Sequence, residues 1–247
     1  MGTIRLAIRF VLFLLLTTYI VVALALIVPF SQNKIRTGMR LRKHYARIIL
    51  PVLGVRLQKS GTAPNFPCIL MGNHRSYLDP IVLLCDVDGV PVSKAEMASW
   101  PLIGVGARIS GVLFLKRESS RSRQLTLEAI GEKLDEGYPV ILFPEGTTHS
   151  GDRTIKLKKG GFQLAVEKNL PVVPVAMDYR YQNDHWIGDD SFLGHFTRRF
   201  ARPAMPIRVA YGEPIRNTDP HELLRQCQEW IDAHMLQWKS EGWNGPD

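Results

Sequence analysis

The sequence predicts a layered α/β domain preceded by an N-terminal membrane-anchoring helix segment. From Pro51 onward, short apolar runs rich in Val, Ile, Leu and Phe alternate with segments of helical periodicity, the pattern of strands and helices stacked in layers. At 247 residues the chain suffices for one such domain with a full core and a short appendage. Ahead of the domain, Phe10 to Phe30 is 21 residues without a charge. As a helix it would extend about 31 Å at roughly 1.5 Å per residue, close to the hydrocarbon thickness of a bilayer. These observations divide the chain into an anchor, residues 1–50, and a domain, residues 51–247.

The anchor has two parts. Ala23-Leu24-Ala25 imitates a signal-peptidase site behind the basic residues Arg5 and Arg9, but the apolar run continues to Phe30, longer than a cleavable signal needs. Lys34 to Leu50 then reads as a basic amphipathic helix, with Ile35, Met39, Leu41, Tyr45, Ile48 and Ile49 as its apolar members, suited to the headgroup layer. Within the domain, the expected strands are Cys68–Met71, Val90–Ser93, Val112–Leu115, Val140–Phe143, Val172–Met177 and Ile207–Tyr211. Arg121 to Glu136 is an amphipathic helix stopped by Gly137, and Phe162 to Lys168 is another. The last helix opens at Asp219-Pro220-His221-Glu222, with an N-cap, a first-turn proline and a glutamate placed to complete a capping box. Its stripe of Leu223, Cys227, Trp230, Ile231 and Trp238 reads as core. Tyr181 to Arg202, with Trp186, Phe192, Phe196 and Phe200 among turn residues, is open between a lid, a membrane-contacting loop and an ordinary crossover.

Charge narrows the setting. Net charge is +8, yet residues 1–60 hold ten Lys or Arg and no acid, leaving 21 bases against 23 acids in the rest. The basicity belongs to the anchor, which argues against nucleic acid and for anionic membrane lipid as its partner. Six bases between Lys34 and Arg47 follow the apolar run and two precede it, so the positive-inside rule places the domain on the cytoplasmic side of a membrane. Three widely separated cysteines, Cys68, Cys85 and Cys227, read as reduced core residues. No nucleophile elbow, P-loop, dinucleotide fingerprint or zinc-helix motif is present, and no metal ligand set is expected.

Chemistry concentrates at Asn73-His74-Arg75-Ser76-Tyr77-Leu78-Asp79, just after an apolar run. A neutral imidazole can take a proton from an attacking hydroxyl near pH 7, and a carboxylate on its other nitrogen fixes the tautomer and stabilises the imidazolium. Asp79 is the first acid in the chain. It also precedes Pro80, so a helix N-cap is the competing role. Downstream, Lys116-Arg117 ends a predicted strand, where a guanidinium can bind phosphate through paired hydrogen bonds. Glu145-Gly146 follows another strand across Pro144.

His74 and Asp79, Gly111 to Arg117, Phe143 to Thr148 and Leu170 to Val175, in this order and spacing, resemble the glycerolipid acyltransferase superfamily and most closely its bacterial 1-acylglycerol-3-phosphate acyltransferases. Lys94-Ala95-Glu96-Met97, Trp100-Pro101 and Lys159-Gly160 add to the likeness, which extends from about Arg40 to Glu213. The resemblance implies a mixed sheet flanked by helices and acyl transfer from acyl-ACP or acyl-CoA, without metal or organic cofactor, to the free hydroxyl of 1-acylglycerol 3-phosphate. It implies a bacterial inner-membrane enzyme of phospholipid synthesis. It casts His74 as base and Asp79 as its orienting partner, with direct attack on the thioester. Arg117, assisted by Lys116, would bind the acceptor phosphate, and Glu145, Gly146, Thr147 and Lys159 would complete the acceptor site. Asn73 and Arg75 would support the base. One position departs: Thr148 stands where the phosphatidate-forming relatives commonly have arginine. Lys156, Lys158 and Lys159 are nearby compensating cations; the alternatives are an acyltransferase for a different lyso-lipid, lyso-ornithine lipid or a lysophospholipid, and a catalytically silent lipid-binding protein on the same fold, against which the intact His74–Asp79 pair and Glu145 argue.

Overall fold

A computed structural model describes residues 1–115 and 120–243. Among the described residues, seven strands form one mixed sheet. In chain order they are β1 Val55–Ser60, β2 Ile69–Gly72, β3 Val90–Lys94, β4 Leu113–Leu115, β5 Val140–Leu142, β6 Val172–Tyr179 and β7 Met205–Tyr211. Their lateral order is β1-β7-β6-β2-β5-β3-β4, with every pair parallel except β6 and β7. The helices are α1 Gly2–Ile27, α2 Lys34–Val52, α3 Asp79–Leu83, α4 Ile103–Ile109, α5 Ser120–Asp135, α6 Gly160–Glu167, α7 Phe192–Phe200 and α8 Pro220–Ser240.

The two faces of the sheet bury separate cores, as period-two alternation requires. Leu70 of β2 and Val173, Val175 and Met177 of β6 join Ile49, Phe196 and Phe200 on one face. Ile69 and Met71 of β2 join Phe162 of α6 and Cys227 and Ile231 of α8 on the other. All eight residues of β6 are buried, so its sequence is almost continuously apolar rather than alternating. The α8 stripe is core, with Leu223, Cys227, Ile231 and Trp238 buried. Its capping box does not close: Asp219 accepts the N–H of His221, whereas Glu222 turns to Arg225 and the Asp219 N–H goes to Asn217.

The predicted strands all exist, shifted by a residue or two at their ends, and β1 is an addition. Its sequence, Val55-Arg56-Leu57-Gln58-Lys59-Ser60, has one buried residue because it is an edge strand. Tyr181–Arg202 contains α7, which Ser191 caps through the N–H of Gly194 and which packs through Phe192, Phe196 and Phe200.

α1 is long and apolar enough to cross a membrane, and 22% of its most apolar window is buried. It lies along the domain. Near its start, Arg5 donates to the carbonyl of Ala201, and Arg9 to those of Phe200, Arg202 and Pro203. Towards its other end, Ile20 and Leu24 pack with Ile109 of α4 and Leu41 of α2. Ile8, Leu15, Tyr19, Val22 and Leu26 recur at helical spacing on the exposed side.

α2 is only partly the basic surface the sequence suggested. Arg42 turns inward and is buried, Arg47 donates to the Cys85 carbonyl, and Lys43 pairs with Asp88. Lys34, Arg36 and Arg40 remain exposed.

Candidate active site

The site is built at the carboxyl ends of the parallel strands β2, β5 and β3, where loops of open α/β sheets present ligand-binding groups. Asn73, one residue past β2, extends that strand with its side chain: its Nδ2 donates to the Met177 carbonyl and its Oδ1 accepts the Met177 N–H, both at 2.8 Å. The loop that follows leaves the sheet from a fixed point.

His74 Nδ1 lies 2.7 Å from Asp79 Oδ2. The same oxygen accepts the backbone N–H of Arg75 at 2.6 Å and of Ser76 at 2.8 Å, and Oδ1 accepts the Tyr179 hydroxyl at 2.7 Å. Burial, and then Asp79 itself, raise the Tyr179 phenol well above its ordinary pKa, so it remains a donor. Every partner of Asp79 donates. His74 therefore carries its proton on Nδ1 and presents a basic Nε2, the tautomer required of a general base. Asp79 lies in the first turn of α3 and caps the loop before it, not the helix after it. His74 stacks on Phe143 with ring centroids 4.4 Å apart and planes 20° from parallel, which fixes the second axis of the imidazole.

Glu145 approaches from the β5 loop and is buried. Its Oε2 accepts the His74 N–H at 2.6 Å, while Oε1 accepts from His149 Nε2 at 2.6 Å and from the Ile155 N–H at 3.2 Å. Both oxygens are thus committed to protein donors, and the carboxylate braces the His74 backbone. His149 belongs to the same brace. It accepts the Gly151 N–H on Nδ1, which places its own proton on Nε2 toward Glu145. Arg75 is fully buried and donates to the carbonyls of His149 and Gly151. Nothing in the local sequence marks His149; its spacing of four from Glu145 is the only signal available beforehand.

Beside His74 opens a cleft of about 370 Å³ whose wall includes Lys94, Glu96, Gly146, Thr147, Thr148 and Trp186. Gly146 has φ +74°, a left-handed conformation that favours glycine, and Lys158 Nζ lies against the space a Cβ would fill. Lys159 does not line the cleft; it is exposed at the start of α6. Lys116 and Arg117 lie outside the described residues. Across Tyr77, Pro80, Val92, Ser93 and Met97, which belong to both walls, the cleft adjoins an apolar cavity of about 170 Å³ bounded by α1, α2 and α4. A base, a polar cleft and an adjoining apolar space suit proton removal from a hydroxyl beside a bound hydrocarbon chain.

Residues 54–178 match the acyltransferase family model, just over half of the chain. The chain belongs to the glycerolipid acyltransferase family. This acyltransferase is 32% identical over 199 residues to the lyso-ornithine lipid O-acyltransferase of Pseudomonas aeruginosa, covering 78% of this chain and 77% of that protein. The enzyme of the same name from Rhizobium meliloti is 30% identical over 224 residues, covering 83% and 76%. The 1-acyl-sn-glycerol-3-phosphate acyltransferase of Neisseria meningitidis is 31% identical over 135 residues, covering 54% and 53%. In fold, the acyltransferase matches the crystal structure of the 1-acyl-sn-glycerophosphate acyltransferase of Thermotoga maritima with a TM-score of 0.72. That match has 21% identity and covers 97% and 98% of the two chains. Lyso-lipid acylation is therefore its class of activity, and the apolar α1 fits a membrane enzyme.

Proposed function

We propose that this acyltransferase moves an acyl chain from acyl-ACP or acyl-CoA to the hydroxyl of an amino-acid lyso-lipid of the lyso-ornithine type, at the cytoplasmic face of the bacterial inner membrane. One observation carries the choice of acceptor. The cleft that holds His74 also holds Glu96, a carboxylate in no side-chain hydrogen bond or ion pair among the described residues, two positions from Lys94. A headgroup with an ammonium and a carboxylate matches that pair, and a phosphate would face Glu96 with like charge. Trp100 and Trp186 line the same cleft, and aromatic rings attract an ammonium. Thr148, where the phosphatidate-forming relatives commonly carry arginine, fits the same reading.

In this mechanism His74 Nε2 takes the proton of the acceptor hydroxyl as its oxygen attacks the thioester carbonyl. Asp79 balances the imidazolium. The thiolate leaves with the proton returned from His74, so no acyl-enzyme forms. Glu145 acts as a positioning residue through the His74 backbone. Gly146 and Thr147 shape the acceptor side of the cleft, and the apolar cavity receives the acyl chain. α1 lies in the near leaflet with its exposed apolar side in lipid, because both of its ends are docked on one domain.

A second reading, 1-acylglycerol 3-phosphate as acceptor, is favoured by Lys158, whose ammonium reaches Gly146 at the cleft wall. Steady-state kinetics of the full chain in mixed micelles, with labelled acyl-CoA and each lyso-lipid, separate the two. On the first reading the lyso-ornithine lipid has the higher kcat/KM, Glu96→Gln raises its KM about tenfold, and Thr148→Arg improves only the phosphate acceptor. A preference for 1-acylglycerol 3-phosphate with a silent Glu96→Gln would establish the second.

A further inference from the structure

Four cations that take no part in the cleft gather on one side of the domain. Arg121 and Arg123 stand in the first turn of α5, which holds no acid, and Lys156 and Lys159 lie just ahead of α6. All four are exposed, and none has a side-chain hydrogen bond or ion pair among the described residues. α5 and α6 run side by side in the same direction: Gly160 faces Leu127, Gly131 faces Leu164, and Lys168 pairs with Asp135. Their starts therefore lie together, and Arg123, one turn before Leu127, comes beside Lys159. At the far ends of the same helices the bases are answered by acids, Lys133 by Glu136 and Lys168 by Asp135.

Two exposed apolar side chains interrupt this basic surface. Leu125, one turn after Arg121 on the same face of α5, is 57% exposed, and Ile155, beside Lys156, is 38% exposed. Apolar contacts among charges are the composition of a protein interface, not of a site for a small anion.

Position connects the patch to the chemistry. Leu115, which ends the strand before α5, lines the cleft, and Lys158, between Lys156 and Lys159, lies against Gly146 in the cleft wall. Ile130 of α5 and Phe162 of α6 belong to the core on the Met71 face of the sheet, whereas Leu6, Phe13 and Leu16 of α1 pack against the core on the Leu70 face. With the exposed side of α1 in lipid, the patch is turned away from the bilayer, toward water.

We propose that this patch docks an acidic, water-soluble carrier protein that holds the acyl thioester, its carboxylates meeting the four cations and its apolar side chains meeting Leu125 and Ile155. The lyso-lipid then arrives from the α1 side and the thioester from the α5 side. The inference rests on the reading above, and narrows its donor from acyl-ACP or acyl-CoA to the carrier-bound form.

The test compares the full chain with the double variant Arg121→Glu/Arg123→Glu, using palmitoyl-ACP, palmitoyl-CoA and whichever lyso-lipid is accepted. Glutamate in a first turn suits the helix dipole, so the variant keeps its fold, which thermal unfolding checks. Its KM for palmitoyl-ACP rises about tenfold with kcat unchanged, while kcat/KM for palmitoyl-CoA stays within about twofold. Leu125→Ser raises the same KM by a smaller factor, and added salt erodes the wild-type advantage of palmitoyl-ACP. A rise shared equally by the two donors, a rise in KM for the lyso-lipid, weakened binding of the variant to anionic vesicles, or a wild type that uses palmitoyl-CoA alone would each overturn the proposal. Binding of fluorescent palmitoyl-ACP without acceptor repeats the comparison without turnover, the variant binding about tenfold more weakly. That loss in a protein that acylates no lyso-lipid would sink the proposed function and leave the docking surface standing; equal binding by wild type and variant removes this inference alone.

Discussion

The Asp79 oxygen that holds the His74 ring also holds the two backbone N–H groups that follow it, those of Arg75 and Ser76, at 2.6 and 2.8 Å. One atom thus sets both the tautomer of the base and the shape of the loop that carries it. His74→Ala and Asp79→Asn should both lower kcat by a hundredfold or more, the usual range for loss of a general base or its partner. Their stabilities should diverge. Thermal unfolding of His74→Ala should stay near wild type, whereas Asp79→Asn, which can turn an amide donor toward N–H donors, should lose about 2 kcal/mol. Retention of a tenth or more of wild-type activity by His74→Ala would remove it as the base.

Glu145 offers a sharper discrimination, because a positioning role and an acceptor-binding role predict different kinetics. With both oxygens committed to His74, His149 and Ile155, Glu145→Gln should reduce kcat by about tenfold to a hundredfold while KM for the lyso-lipid changes little. His149→Ala should move kcat in the same direction by less. A rise confined to KM would show that Glu145 contacts the acceptor instead.

His195 of α7 sets an acid limit on the fold. It is fully buried, accepts from the Tyr77 hydroxyl on Nδ1 and donates to the Asp184 carbonyl from Nε2. Burial chiefly lowers its pKa to about 4, with Asp190 opposing and Arg199 and Arg198 adding to the effect. Because the unfolded chain binds this proton near pH 6.5 and the folded one near 4, stability is greatest above 6.5 and falls between 6.5 and 4. The loss attributable to this residue is on the order of 3 kcal/mol. His195→Gln should flatten that part of the profile of denaturant midpoint against pH; an unchanged slope would exclude His195 as its source.

Lys34, Arg36 and Arg40 of α2 are exposed and make no side-chain hydrogen bond, whereas Arg47, also exposed, is tied to the Cys85 carbonyl, so membrane electrostatics should reside chiefly in the first three. Replacing all three by alanine should weaken binding to anionic vesicles by about 1 kcal/mol per residue, in a salt-sensitive way, and leave binding to neutral vesicles unchanged. Equal losses on both vesicle types would assign the triplet a structural role.

Deleting residues 1–30 should do more than release the protein from membranes, because Phe13, Thr17, Ile20 and Leu24 form a wall of the apolar cavity. The truncated chain should lose thermal stability and should acylate poorly even in detergent. Full activity in detergent would show that α1 serves attachment alone.

Much of this arrangement was legible beforehand where the signal is local. His74 and Asp79 are five residues apart, and their pairing follows from one loop. The central strands announced themselves as apolar runs because both faces are covered. What escaped is carried by distant partners: Tyr179 reaches Asp79 across 100 positions, and Arg75 fastens His149 and Gly151 from more than 70 away. β1 lacked a pattern because an edge strand buries little. α7 had one, the spacing of four among Phe192, Phe196 and Phe200 after Ser191, hidden by the turn residues around it. Glu222 leaves the capping box open because Arg225, one turn on, draws its carboxylate, while Asn217 takes the Asp219 N–H.

The clasp between Arg9 and the carbonyls of Phe200, Arg202 and Pro203 joins residues more than 190 positions apart. A ribosome adding about 5–20 residues per second needs roughly 10–40 s to make the second half of that clasp after the first has emerged. Through that interval the first turns of the greasy N-terminal rod lack their docking site, α2 and α4 covering only its far end, and β1 likewise waits for β7. Nascent chains should therefore be delivered to the bilayer early in translation, with lipid acting as a temporary chaperone until the late segment arrives to draw the rod against the finished domain.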